Sequence, residues 1–303
     1  MKIAAITITY NDDYKFEEWY QYYSEYKQDL FLHIIVDNNS EKKYLSKVED
    51  KFTDSIIIKR ESNGGCTKAY NDGIRYAMNN SEVDAIMLVG NDLRFNEGMT
   101  QELYDLLNSN DDFGMVEPII LSKDSTIIED FGSDVSQSLK MVPYGLGLDV
   151  NDIKPEVRIV DAVAGGMNLA TINFYKEVGL QDEVLFMYSD EIDMAIRAKE
   201  KGFKMAVSSS VRAWHNHINL PGKTKRPPYT AFLSGRNKIY LGYKHFGFTK
   251  AFYIFLSQLY TFIKRMPKSL SSIEKMKFQC FFLFGTFCGI IKCNKNFNFI
   301  INN

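Results

Sequence analysis

The chain predicts an α/β protein: a mostly parallel central sheet flanked by helices, followed by a helical appendage at its C-terminal end. Three observations carry this. Short apolar runs alternate with amphipathic stretches up to residue 121, the beat of βαβ units joined by right-handed crossovers. One run, residues 85–89, is wholly apolar and stops at Gly90-Asn91-Asp92, as a strand covered on both faces of a parallel sheet does. Beyond residue 245 the composition turns strongly aromatic and apolar with basic flanks.

The elements follow in order. Residues 3–9 form a strand and 15–28 a helix rich in Glu, Tyr and Trp. A second strand, 32–36, runs into Asp37-Asn38-Asn39-Ser40, followed by a helix over 41–52 and a strand over 55–59. Asn63-Gly64-Gly65 opens a helix reaching Met78, ahead of the strand at 85–89. A helix at 97–108 and a strand at 114–121 follow. Residues 122–157, with Gly132, Gly145 and Gly147, read as loops or short antiparallel strands. A helix opens at the acidic cluster 190–193 and stops at Lys201-Gly202; a strand from 203 delivers His215; and 229–244 is helical again.

With 303 residues, 45% hydrophobic and 24% charged, the chain has the material for one large domain plus an appendage, divided here as 1–245 and 246–303. A net charge of −2 gives no reason to expect nucleic acid as a partner. Cys66, Cys280, Cys288 and Cys293 have neither metal-ligand nor disulfide-framework spacing, which fits a reducing compartment. The N-terminus runs straight into a strand pattern without the marks of a signal peptide, and no apolar run reaches the ~18 residues of a membrane span. The expectation is a cytoplasmic protein.

Three strand ends share one chemistry: Thr9-Tyr10-Asn11-Asp12, Asp37 to Ser40, and Asn91-Asp92. Ligands of open α/β sheets bind beyond the carboxyl ends of strands, where Asp92 can hold a hard cation against a phosphate. Each turn alone is also an ordinary turn or helix cap. Gly64-Gly65 before a helix lets backbone approach an anion, although neither the dinucleotide fingerprint nor a Gly-Lys-Ser/Thr loop is present. The small apolar stretch around Gly166 reads equally as backbone against a ligand or as a tight core turn. Asp190, Glu191 and Asp193 place three carboxylates in four residues, more than helix capping needs, so the cluster can supply a general base. Asp193, four before Arg197, reads as a local ion pair. His215 suits a metal, the basic loop with Lys223, Lys225 and Arg226 can close over a diphosphate, and Arg236-Asn237 can clamp one. The apolar segments 252–263 and 278–291 suit a membrane interface; a hairpin packed on the domain or in a homodimer is the alternative.

Taken together, Thr7-Ile8-Thr9-Tyr10-Asn11, Val36 to Ser40, Asn63 to Gly73, Gly90-Asn91-Asp92, Tyr188 to Arg197, Trp214-His215 and Arg236-Asn237 resemble, in order, the inverting glycosyltransferases of family 2, and more narrowly the rhamnosyltransferase-like enzymes of bacterial surface polysaccharide synthesis. The resemblance covers residues 1–245. It implies the GT-A nucleotide-sugar-binding fold and a UDP- or dTDP-sugar donor. The acceptor would be a saccharide or lipid-linked saccharide at the cytoplasmic face of the inner membrane. By position it places Thr9, Tyr10, Asn11, Asp37, Asn39, Asn63, Gly64, Gly65, Asn71, Asn91, Gly166 and Arg236 at the nucleotide-sugar. Asp92 and His215 would hold Mg2+ or Mn2+, and Glu191 with Asp190 would stand at the catalytic base. Gly90 replaces the first acid of the family's Asp-x-Asp motif, and the Glu-Asp order is reversed at 190–191; Glu191 takes the position of the catalytic Asp. A catalytically silent nucleotide-sugar-binding scaffold is the alternative that Gly90 favours. A nucleotidyltransferase would need a basic Gly-rich loop after the first strand, where this chain has Asn11-Asp12-Asp13.

Overall fold

The computed structural model describes residues 1–216 and 227–291. The strands are β1 (Ile3–Thr9), β2 (Leu32–Asp37), β3 (Ile56–Lys59), β4 (Ala85–Val89), β5 (Leu93–Phe95), β6 (Phe113–Ser122), β7 (Ile128–Asp130), β8 (Ser133–Val135), β9 (Met141–Pro143), β10 (Val157–Val160), β11 (Met167–Thr171) and β12 (Lys204–His215). The helices are α1 (Phe16–Tyr26), α2 (Lys42–Lys51), α3 (Gly65–Met78), α4 (Met99–Asn108), α5 (Ile172–Val178), α6 (Asp190–Glu200), α7 (Pro228–Ser269) and α8 (Ile273–Ile290). The main sheet runs β10-β12-β6-β11-β4-β1-β2-β3, with β5 attached to β12 and β7 to β6.

Six of the eight strands on that path, β3, β2, β1, β4, β6 and β12, point the same way; β11 and β10 run against them. The expected mostly parallel sheet is thus present. β11 takes up the second half of the small apolar stretch around Gly166, as an antiparallel strand between β4 and β6 with Leu169 opposite both Met87 and Val116. β1 lies between β2 and β4, placing Ile6 opposite Ile34 and Leu88, and all five residues of β4 are buried. That is why β4 has no polar alternation. α3 lies close on this layer: a Cβ at Gly73 would stand 2.5 Å from the Ile6 side chain.

The chain forms two compact units. One contains Met1–Asp134, Val142–Glu183 and residues 194–216; the other contains Val135–Met141, Val184–Asp193 and the described residues from 227 onward. The first unit buries a core in which α1 sets Phe16, Trp19, Tyr23 and Tyr26 against the sheet, with Tyr26 stacked on Phe95 at 4.0 Å between ring centroids. In the second unit α7 breaks at Gly247 (φ 78°), two residues past the division expected at 245. α8 packs directly on α7, backbone to backbone: a Cβ at Gly285 would collide with the Phe232 carbonyl. No described helix is long and apolar enough to cross a membrane.

Candidate functional site

In the first unit the strand ends converge as the polar turns implied. Asn11 and Asn39 take left-handed backbone (φ 51° and 70°), the conformation that Asn tolerates best after Gly. Asn11 Oδ1 accepts from the Glu41 N–H at 2.8 Å, stitching the β1 end to the start of α2, while Tyr10 is exposed. Thr9 is buried against the Tyr44 hydroxyl. Asp37 is 1% exposed; its Oδ2 accepts from the Ser40 N–H at 3.1 Å, and its Oδ1 has no partner among the described residues.

After β4 the chain turns through Gly90, Asn91 and Asp92 into β5, which pairs with the end of β12 and brings His215 opposite Leu93. His215 Nε2 lies 3.5 Å from Asp92 Oδ1, and its Nδ1 lies 3.1 Å from Glu129 Oε2. Asp92 Oδ2 accepts from Lys15 Nζ at 3.3 Å, and Lys15 also faces Asp12 at 3.8 Å. Asn91 points its amide at Asp12 Oδ2, 2.7 Å away, rather than outward. Burial works against the charge on Asp92, but the hydrogen bond from His215 and the Lys15 ammonium outweigh it and hold the carboxyl well below its ordinary range. Burial likewise opposes the charges on Lys15 and His215, and their acidic neighbours prevail, raising both. The result is a desolvated cluster of alternating charge at the sheet's carboxyl edge. Lys15 and Glu129 carry no sequence signal of this role: the first lies in a run of surface-type residues, the second in an irregular stretch.

Several residues expected at the donor make hydrogen bonds within the protein. Asn71 is buried, with its amide directed to the Gln181 carbonyl (2.9 Å) and Glu183 (3.1 Å) and its carbonyl accepting from the Gln181 N–H (2.9 Å), so it ties α3 to the 181–183 segment. The Gly64 and Gly65 N–H groups are taken by the Asn38 and Asn63 side chains, at 3.0 and 2.9 Å. The start of α3 is therefore capped internally, and Gly65 is needed for its φ of 79°. Gly166 has open space where a Cβ would stand, and its carbonyl accepts from the Gly90 N–H at 2.7 Å.

In the second unit the chain approaches α6 through Phe186, Tyr188 and Ser189, three non-glycine residues with φ between 65° and 67°. Such backbone costs ~1–3 kcal/mol per residue and persists only where its surroundings fix it. Arg236 and Asn237 do this. Asn237 is fully buried and directs its amide to the carbonyls of Leu185 (3.0 Å), Met187 (2.9 Å) and Tyr188 (2.8 Å). Arg236, 1% exposed, turns its guanidinium to the Val184 carbonyl at 2.6 Å and to Asn237 Oδ1. The pair expected to clamp a diphosphate holds the turn that presents Asp190 and Glu191. An Arg-Asn pair on a helix looks the same in sequence whether it faces solvent or carbonyls.

Asp190 is buried and, through that burial with Asp193 nearby, its carboxyl is pushed up to about 6. Asp193 is fully buried and pairs with Lys244 Nζ at 2.6 Å and His245 Nε2 at 2.7 Å. Arg197 caps the carbonyls of Val178 and Leu180. Glu191 is partly exposed and lines a cavity of about 370 Å³. The basic residues Lys223, Lys225 and Arg226 lie outside the described residues, as do Lys292, Lys295 and Cys293.

Residues 6–127 match the model of glycosyl transferase family 2. The low-salt glycan biosynthesis hexosyltransferase Agl10 of Haloferax volcanii is 24% identical over 211 residues, which are 68% of this chain and 65% of that protein. Among solved structures, GalNAc-T7 with UDP, GalNAc and Mn2+ superposes with a TM-score of 0.59 at 14% identity, over 79% of this chain and 51% of that one. The mannosyltransferase PcManGT of Pyrobaculum calidifontis, with GDP-Man and Mn2+, gives 0.55 at 10% identity over 96% and 87%. The chain therefore spans about two thirds of the length of its curated relative and half that of GalNAc-T7; with the structures it shares the GT-A fold. The ordered motifs, the matching family model and the common sheet agree: the chain is similar to glycosyl transferase family 2, through residues 6–127.

Proposed function

We propose that the protein transfers a sugar from a UDP- or dTDP-sugar to a hydroxyl of a saccharide or lipid-linked saccharide acceptor, by one inverting displacement, in surface-polysaccharide synthesis. The observation that carries this reading is the Asp92–His215–Lys15 cluster at the carboxyl ends of β1, β4 and β12 in a chain similar to this family. A divalent cation fits the donor set. A carboxylate oxygen and an imidazole nitrogen 3.5 Å apart are two suitable ligands, and phosphate oxygens and water complete such sites. The Mn2+ in the GalNAc-T7 and PcManGT structures supports the same choice, Mg2+ being the alternative. When bound, the cation supplies positive charge against the departing nucleoside diphosphate.

The chain's own residues do the remaining work. Asp37 offers its unmatched buried oxygen to a donor hydroxyl such as those of ribose, flanked by Thr9, Asn11 and Asn39. Lys15 keeps its proton at neutral pH and adds positive charge beside Asp92. Glu191 takes the proton of the acceptor hydroxyl as it attacks the anomeric carbon, assistance worth roughly 10²–10⁴-fold. Asp190, held largely inside the protein, supports the first turn of α6. The second unit also exposes Phe252, Leu256, Tyr260 and Ile263 at helical spacing on α7, near Lys264 and Lys268. An apolar stripe with basic neighbours supports attachment to an anionic cytoplasmic membrane surface.

The test is a thermal-shift panel of UDP, dTDP and GDP, each with and without Mn2+, on wild type and Asp92→Asn. A ligand at 100 times its Kd stabilises by about 2.7 kcal/mol. The expected result is a Mn2+-dependent shift with one nucleotide in wild type, lost in the variant. A wild type that responds to none of the nucleotides refutes the reading.

A further inference from the structure

We propose that the cavity beside Glu191 is an anion subsite for the acceptor, in which Lys238, with Arg265, grips a phosphate carried by the saccharide while the sugar lies toward Glu191. This rests on the transfer reaction proposed above. The cavity lies wholly within the second unit, and its volume of about 370 Å³ falls in the range of small-molecule sites, ~300–1,000 Å³. Ser234 and Lys238, four residues apart on α7, share one wall, Arg265 enters from beyond the Gly247 break, and Phe278 and Phe282 of α8 supply an apolar face.

The charges are the unusual feature. Among the described residues, Glu191 is the sole acid on the wall. Lys238 is half-buried, and among the described residues it has neither an ion pair nor a hydrogen bond. Burial pushes its ammonium down to about 8, and the like charges of Lys140 and Arg265 push the same way. Three cations around a single acid leave an excess of positive charge, with Lys238 partly desolvated, that an entering anion offsets. Lys and Arg together match a phosphate through charge-assisted hydrogen bonds, the Arg bidentately. A neutral saccharide would need none of this charge, and a cationic ligand would be repelled. The aromatic face beside the cations suits a pyranose ring and places its hydroxyls on the side of Glu191.

The test is calorimetric binding to the full chain of glucose 1-phosphate, glucose, inorganic phosphate and farnesyl phosphoglucose in detergent. Glucose 1-phosphate is expected to bind and glucose not. Inorganic phosphate should bind more weakly than the sugar phosphate, and a further gain with the farnesyl compound identifies a lipid-linked acceptor over a soluble one. Lys238→Met and Arg265→Met should each weaken glucose 1-phosphate at least about 10-fold, and Lys238→Arg should retain most of the affinity. Removing an unpaired, half-buried ammonium should leave the unfolding midpoint of Lys238→Met unchanged or higher, which separates loss of the site from loss of fold. Equal binding by wild type and both Met variants, or no binding of any phosphate at millimolar concentration, overturns the subsite. Nucleoside diphosphate binding measured on the same samples separates the two claims: if it persists while phosphate fails, only the subsite falls, and if both fail the transfer reaction falls too.

Discussion

Asn237→Ala is the most informative perturbation of the second unit, because it removes a side chain whose hydrogen bonds go to the turn before α6 and to Arg236. Asn237 Nδ2 lies within 3.0 Å of three backbone carbonyls, and its Oδ1 accepts from Arg236, all in a fully buried setting. Truncation leaves those carbonyls and part of a buried guanidinium unmatched. Each orphaned group costs about 1–3 kcal/mol, though Leu185 O keeps a longer bond from Arg236, so the expected loss is about 3–5 kcal/mol. The left-handed backbone at Phe186, Tyr188 and Ser189 would then relax toward ordinary φ and turn Asp190 and Glu191 out of place. Thermal unfolding followed by circular dichroism should show the midpoint falling by roughly 10 °C. Turnover of any accepted donor should fall more than nucleotide affinity does, since the nucleotide residues belong to the first unit. A variant within about 1 kcal/mol of wild type, with normal turnover, would refute the claim that this side chain holds the turn.

Two further outcomes follow from the same geometry. His215 has a raised pKa in the fold, so its contribution to stability is fully present below the ordinary ~6.5 and is lost as pH rises through the raised value; Asp92, depressed, contributes above ~3.9 and loses its contribution as pH falls toward its folded value. Urea unfolding at pH 6 and pH 9 should therefore show a stability difference in wild type that shrinks in His215→Gln, and an unchanged difference would deny the pairing with Asp92 and Glu129. Tyr260→Ser combined with Ile263→Ser removes two exposed side chains of the α7 stripe, each worth about 1.5–3 kcal/mol if buried in lipid. Sedimentation with anionic liposomes should fall sharply, and a wild type that never sediments would contradict membrane attachment.

The fold was legible because its strands announce themselves by burial. β1, β2 and β4 are apolar runs ended by Asx or Thr, and no tertiary information is needed to see that Ala85–Val89 is covered on both faces. Short edge strands such as β5 and β10 were not, because their pairing with β12 depends on where the chain returns. The polar site was legible as types of residue and less so as partners. Asp92 and His215 do meet, yet Asn71, Gly64, Gly65 and Arg236 match the family's order while their hydrogen bonds are spent within the protein. A hydrogen-bonding side chain carries no mark in sequence of which partner will be in reach. Lys238 and Arg265 illustrate the converse: they lie 27 positions apart, so neither periodicity nor a motif window joins them, and only the fold puts both on one cavity.

The most direct test of sugar transfer is turnover by wild type, Glu191→Gln and Asp190→Asn across UDP-, dTDP- and GDP-sugars with Mn2+, reading nucleotide release and, by NMR, the anomeric configuration of the product. The account predicts that wild type consumes one class of donor and inverts the anomeric centre. Glu191→Gln should fold and bind donor but lose at least about 10²-fold in turnover, and Asp190→Asn should lose less. Retention of configuration, or near-wild-type turnover in Glu191→Gln, would contradict it.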